Sequence, residues 1–263
     1  MTASAIGEQV RRHPRAIAIA SLIVALTYFG SRVLGALESV ALAGVFGTAP
    51  ELDAWFVGNR IPDLIFQLIA GATLASAFIP TYARVRSREG QEEAWRLASA
   101  VLNLVALITI VLAVITFIAA PRLIPATAPG LGEAVGRGPE MQRLAVKLAR
   151  IMLGAPVIFA VSGMVSGILN ANHRFLLSGL APMLYNVALI TGILAYRFLF
   201  PGRSLAFGVT LLSAAAVAGA AAHLLVQLPG LLQVGMRYTR TLGLRVPAVR
   251  EVIVLMLPRM IGL

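Results

Sequence analysis

The chain contains no cysteine, carries few charges and shows no familiar catalytic motif. Without cysteine there can be no disulfide, no thiolate nucleophile and no sulfur ligand for a metal. The three histidines, His13, His173 and His223, are far apart and have no ligand spacing, so no metal site is expected. H-E-x-x-H, G-x-S-x-G, a Walker loop and G-x-G-x-x-G after a strand are all missing, so no catalytic residue and no cofactor is expected. Charged residues make up only 13% of the chain, against about 25% in soluble domains. That is too little polar surface to enclose a water-soluble core.

Apolar sequence is abundant. The composition is 59% hydrophobic and the mean hydropathy is +0.86. Six long apolar segments run at about 17–46, 54–82, 97–120, 144–170, 177–200 and 205–232. At ~1.5 Å per helical residue each can cross ~30 Å of hydrocarbon. A seventh begins near Val249 and runs to Leu263, which reads as the front part of a longer protein. The expected fold is all-α and polytopic: a cytoplasmic tail (1–15), transmembrane helices 1–6 (16–235), then a cytoplasmic connection and the start of helix 7 (236–263). The net charge of +11 suggests nucleic acid only in a soluble protein. Here the arginines fall between apolar runs, as cytoplasmic loops require. Arg11, Arg12 and Arg15 precede the first span, Arg84, Arg86, Arg88 and Arg96 follow the second, and Arg237, Arg240, Arg245 and Arg250 follow the sixth. The bias places the N-terminus inside. The 121–139 connection, rich in Pro and Gly, reads as an irregular outside loop.

Charge inside the apolar segments is the informative feature. An ionised group at the centre of a bilayer costs about 2.5–3.5 kcal/mol on insertion scales. Yet Arg32 and Glu38 lie in the first span, and Asp53, Arg60 and Asp63 in or beside the second. At 100° per residue, Asp53, Arg60 and Gln67 fall on one stripe with Asp63 beside them, while Ser31, Arg32, Gly35, Glu38 and Ser39 share one side of the first helix. The short connection at 47–52 makes the two helices antiparallel neighbours with facing polar sides. Two readings follow. One is an internal ion-pair network, such as Arg32 with Asp53 or Glu38 with Arg60. The other is a hydrated cavity for a polar ligand. Pro62, between Arg60 and Asp63, would bend the helix and re-aim the charges. Gly219, His223 and Gln227 form a weaker stripe on the sixth span, where packing or hydrogen bonding competes with a proton relay. Asn103 and Asn186 read as interhelical hydrogen bonds. Glu38 and Asp53 make poor general acids beside Arg32 and Arg60, which hold them ionised; an intramembrane hydrolase or glycosyltransferase is the enzymatic alternative.

Read with their flanks, these stretches resemble the MurJ/MviN family, lipid II flippases of the multidrug/oligosaccharidyl-lipid/polysaccharide exporter superfamily. The matching pieces are S-R-V-L-G at Ser31, A-G-V-F-G at Ala43, D-A-W-F-V-G-N-R-I-P-D at Asp53, A-F-I-P at Ala77 and A-P-G at Ala128. They continue with L-A-R-I-M-L at Leu148, L-N-A-N-H-R-F at Leu169, A-P-M-L-Y-N at Ala181, L-A-F-G-V at Leu205 and Q-L-P-G-L at Gln227. The resemblance implies a fourteen-helix, two-lobe transporter around a cationic cavity, with this chain as the first lobe. It implies alternating-access movement of an undecaprenyl-pyrophosphate-linked peptidoglycan precursor across the bacterial inner membrane. It assigns Ser31, Arg32, Asp53 and Arg60 to substrate binding, and leaves Glu38 and Asp63 for coupling or gating. The expected partners are the lipid-linked anionic substrate, membrane lipid and envelope-synthesis proteins, with no nucleic acid. The chain departs from the family pattern at Glu38 and Ser39, where Arg-Asp is usual, at Phe66 and Gln67, usually a basic pair, and at Ala70, usually acidic. These changes remove positive charge that a pyrophosphate would use. They favour the alternatives of an exporter of another lipid-linked saccharide or a small cation, or of a non-transporting scaffold of the same fold.

Overall fold

A computed structural model describes the backbone of residues 3–70, 72–244 and 246–261, and the side chains of 21–69, 78–244 and 246–255. The arginines at 11, 12, 15 and 245, and the departure at Ala70, lie outside the described side chains. The described backbone is helical, with no strand: α1 (Ala3–Phe46), α2 (Pro50–Ala70), α3 (Ala72–Arg88), α4 (Gln91–Thr127), α5 (Gly138–Met152), α6 (Gly154–Ala171), α7 (Phe175–Leu199), α8 (Leu205–Leu225), α9 (Leu228–Gln233) and α10 (Pro247–Ile261).

Local chemistry sets the ends. Gly47 takes a left-handed φ of 58° and stops α1, a conformation that costs glycine little. Pro50 then opens α2, with Glu51 and Asp53 in the first turn, where acidic groups meet the positive end of the helix dipole. Ser204 caps α8 by accepting a hydrogen bond from the Phe207 amide at 3.3 Å.

Five helical stretches are long and apolar enough to cross a membrane: Ser21–Phe46, Gln91–Thr127, Gly138–Ala171, Phe175–Leu199 and Leu205–Gln233. The expected second span, 54–82, crosses residues outside the described side chains; its described part includes α2, which carries Glu51, Asp53, Arg60 and Asp63 along 21 residues. The expected 121–139 loop is shorter than the sequence suggests. α4 continues through Pro121 and Pro125 to Thr127, and a short 3-10 turn, Glu133–Val135, precedes α5.

The bundle packs around α6 and α8. α7 lies on both α1 and α8, α2 on α5 and α6, and α4 on α6, while α10 closes over α3 and α4. Small residues allow the close approaches. A Cβ on Gly58 would stand 2.9 Å from the Ala145 carbonyl, and one on Gly179 would stand 2.9 Å from the Thr27 Cβ. Outward faces are apolar: Leu22, Phe29 and Val40 on α1 and Ile110, Val114 and Ile118 on α4 are exposed. Such faces suit acyl chains as solvent.

α1 and α2 are joined by a tight turn but do not pack along their lengths. The expected neighbourhood of their polar sides is therefore wrong. α1 finds its partner in α7, where Gly179 and Gly30 admit Thr27 and Met183 at close range. α2 is held instead by the small residues at its α5 contact. The two helices splay from the turn.

Candidate functional site

The expected ion pairs are also absent. Among the described residues, neither Arg32 nor Glu38 pairs with Asp53, Arg60 or Asp63. The splay is the reason, since the charges sit on helices that do not face each other at contact distance. Arg32 turns back along its own helix. Its Nη2 donates to the Tyr28 hydroxyl at 2.6 Å, and its Nε donates to the same oxygen at 3.2 Å. Asp53, Arg60 and Asp63 are exposed and Glu38 is half-buried.

Two neighbouring spaces take up Arg32 and Asp63. The first is a groove of about 660 Å³ between α1 and α7, lined by Tyr28, Ser31, Arg32, Gly35, Ser39, Gly179, Pro182 and Asn186. The second is a cavity of about 260 Å³ in the lobe, lined by Asn59, Pro62, Asp63 and Phe66 of α2, Pro156 and Phe159 of α6, Tyr185 and Asn186 of α7, and His223 of α8. Pro182 and Asn186 belong to both walls. The two spaces therefore meet on one side of α7. Asn186 also fixes α1, donating from Nδ2 to the Ser31 carbonyl at 2.9 Å, as a polar side chain between membrane helices should.

The cavity is polar at its mouth and aromatic behind. Asn59, Pro62, Asp63 and Phe66 recur at three- and four-residue spacing, so one face of α2 enters it. Asp63 accepts a hydrogen bond from Gln67 Nε2 at 2.6 Å. Tyr185 lies within electrostatic range of both Glu38 and Asp63, so carboxylates from α1 and α2 converge on one α7 side chain. Phe159 packs against Phe66, Tyr185 and His223 with ring centres 5.0–5.2 Å apart. Behind it, His223 Nδ1 is 2.7 Å from Ser162 Oγ. Gln227 Nε2 donates to that serine at 2.7 Å, and Ser166 Oγ donates to Gln227 Oε1 at 2.7 Å. This closed network supports the hydrogen-bonding reading of His223. Asn103 serves the connection after α9, donating to the Thr241 carbonyl at 2.8 Å and accepting from the Tyr238 hydroxyl at 2.7 Å.

Of the residues expected at the site, the structure places Ser31, Arg32 and Asp63 in these linings and leaves Asp53, Arg60 and Glu38 outside them. Asn59 and Tyr185 line the cavity without having been expected there. Asn59 has a signal in hindsight, lying one turn before Asp63 on α2. Tyr185 has none, since its place depends on α7 lying between α1 and α2. Glu51 was missed as well. Its carboxylate is buried at the start of α2 and meets Arg137 Nη1 at 2.8 Å, while Arg137 Nη2 holds Glu140 at 2.6 Å. Hydrogen bonds that it donates to Glu140 first and Glu51 second push the Arg137 guanidinium further up its already high range.

The family described as "Lipid II flippase MurJ" matches residues 42–263. A lipid II flippase MurJ of Burkholderia cenocepacia is 34% identical over 232 residues, covering 87% of this chain and 43% of that protein. A probable lipid II flippase MurJ of Synechocystis is 29% identical over 251 residues, covering 93% and 45%. Among solved structures, a lipid II flippase MurJ in an inward closed conformation aligns with a TM-score of 0.70 at 22% identity, over 91% of this chain and 48% of that one. A transporter of the MOP superfamily from Pyrococcus furiosus, described as having a binding pocket of reverse polarity, aligns with a TM-score of 0.68 at 19% identity, over 92% and 52%. The shared fold is thus that of flippase and exporter bundles. The chain spans about half the length of the curated relatives it matches.

Proposed function

From the premise that this chain belongs to the lipid II flippase MurJ family, we propose that it forms one lobe of a transporter moving a lipid-linked anionic headgroup across the inner membrane. The family and the apolar helices make it a multi-pass inner-membrane protein, and the arginine bias supports a cytoplasmic N-terminus. The observation that carries the proposal is the meeting of the α1–α7 groove with the α2-lined cavity at Pro182 and Asn186. A polar pocket at membrane depth lowers the cost of taking a headgroup out of water. The exposed faces of α1 and α2 then form one wall of a translocation chamber, and a second lobe supplies the other.

In this reading Arg32 and Arg60 contact the phosphate groups, where guanidinium geometry favours bidentate bonds. Ser31 donates a further hydrogen bond. Asp53 orients or releases an arginine between states. Glu38 and Asp63, brought together through Tyr185, act in coupling or gating. Tyr28 holds Arg32, so headgroup binding exchanges a neutral partner for a charged one. Envelope-synthesis proteins are proposed as partners.

A second reading has a specific observation behind it. The described cavity is lined by the carboxylate of Asp63 and by no cation, and Glu38 lies nearby. That balance suits a cationic cargo or a coupling cation better than a pyrophosphate. Complementation separates the two. The protein at its natural length should restore growth to bacteria depleted of their own lipid II flippase, and Arg32→Ala or Arg60→Ala should abolish rescue at equal expression. Failure of the wild type to rescue removes lipid II as the cargo, and full rescue by both variants removes Arg32 and Arg60 from its binding.

A further inference from the structure

A second charged space lies away from this site. Between α4 and α5 is a groove of about 650 Å³ whose wall includes Arg143, Lys147 and Arg150 of α5 and Phe117, Pro121 and Pro125 of α4. The three cations recur at four- and three-residue spacing, so they form one stripe. No acidic residue lines the groove. Glu140, one turn before Arg143 and within electrostatic range of it, is held by Arg137.

The cations are presented rather than consumed. Pro121 has no N–H, so the Phe117 carbonyl lacks its helical donor. Arg150 Nε supplies that bond at 3.1 Å, and its guanidinium carbon stands 4.8 Å from the Phe117 ring centre. Both terminal nitrogens of Arg150 remain for another acceptor. Lys147 Nζ has only a long contact of 3.4 Å to Thr210 Oγ1. Arg143 is exposed and forms no ion pair among the described residues.

Depth identifies the occupant. α6 carries no charge over 18 residues, which span about 27 Å and so roughly fill the hydrocarbon layer. α5 prolongs it, and Arg150 and Lys147 stand about 6 and 10 Å beyond its first residue. That is the level of lipid phosphates. On the hydrocarbon side of Phe117, Val114 and Ile110 continue the same face of α4 and are exposed, giving an acyl chain an apolar track.

We propose that the α4–α5 groove binds the headgroup of an anionic glycerophospholipid from the leaflet at the α1–α2 turn. Arg143, Lys147 and Arg150 hold its phosphate, and an acyl chain lies along Phe117, Val114 and Ile110. Glu51 at the start of α2 is paired with Arg137 at the start of α5, which fixes that end of the bundle. The proposal rests on the membrane reading of the chain and not on the transported substrate.

The test uses the protein at its natural length in nanodiscs of phosphatidylglycerol or of phosphatidylcholine with the same acyl chains. Native mass spectrometry after mild detergent release counts the retained lipid. One phosphatidylglycerol per protein should persist where phosphatidylcholine does not. Arg143→Ala with Lys147→Ala should lower its occupancy on the order of thirtyfold. Arg143→Ala alone, at an exposed position that the fold does not need, should lower it about fivefold. Arg197→Ala with Arg203→Ala, the same charge loss at the same end of the bundle, should leave it unchanged. Equal retention of phosphatidylcholine, wild-type retention by both groove variants, or equal loss in the control overturns the proposal. Displacement of the lipid by millimolar inorganic phosphate also overturns it, assigning the groove to free phosphate.

Discussion

At the scale of single residues, close packing and closed hydrogen-bond networks make the sharpest predictions. Gly58→Ala would drive a methyl against the Ala145 carbonyl at 2.9 Å. Backbone cannot swing aside, so the variant should lose about 1–3 kcal/mol of stability, read as a lower melting temperature in detergent. Gly44→Ala is the matched control. Nothing lies within 4 Å of its new Cβ, and the helix gains up to about 1 kcal/mol of propensity. Gln227 is fully buried and serves both Ser162 and Ser166. Gln227→Ala takes the acceptor from Ser166 and one donor from Ser162, which keeps His223, and should cost about 1–3 kcal/mol. A melting temperature equal to wild type would show that water replaces the amide there.

At the scale of elements, the start of α2 depends on a charge supplied from the start of α5. Arg137→Ala leaves the buried Glu51 carboxylate without its counter-ion and should lower the melting temperature. Adding Glu51→Gln should recover part of the loss, because an amide costs less to bury than an anion. A double variant no better than the single one would mean that Arg137 acts through Glu140 alone. The apolar segments were legible because hydrocarbon imposes length and composition directly on sequence. The extension of α4 past Pro121 was not. That extension relies on Arg150, 29 residues later, satisfying a carbonyl that proline leaves free. Of the polar stripes on α1 and α2, Ser31, Arg32, Gly35, Ser39 and Asp63 line the two spaces, while Glu38, Asp53, Arg60 and Gln67 do not. Their pairing was misread because a short turn constrains ends, not faces. Which helix covers α1 is settled by Gly30 and Gly179 fitting Met183 and Thr27, a match of shapes that periodicity does not encode.

At the scale of the whole molecule, α1 belongs with α7, and cross-linking can check it. The chain has no native cysteine background. A Cβ on Gly35 would lie 3.8 Å from the Asn186 amide nitrogen, so Gly35→Cys with Asn186→Cys should join through a short bifunctional thiol reagent. Glu38→Cys with Arg60→Cys should not. The reverse pattern would mean that α1 lies on α2. The hairpin fixed at Gly47 and unpacked beyond it behaves like tweezers, narrow at the hinge and wide at the tips. At about 1.5 Å per residue from Gly47, Asp63 stands some 24 Å along the hairpin, Arg32 about 22 Å, Arg60 about 20 Å, Glu38 about 13 Å and Asp53 about 9 Å. Both guanidinium groups and one carboxylate therefore stand at the open tips, while Glu38 and Asp53 stand nearer the hinge.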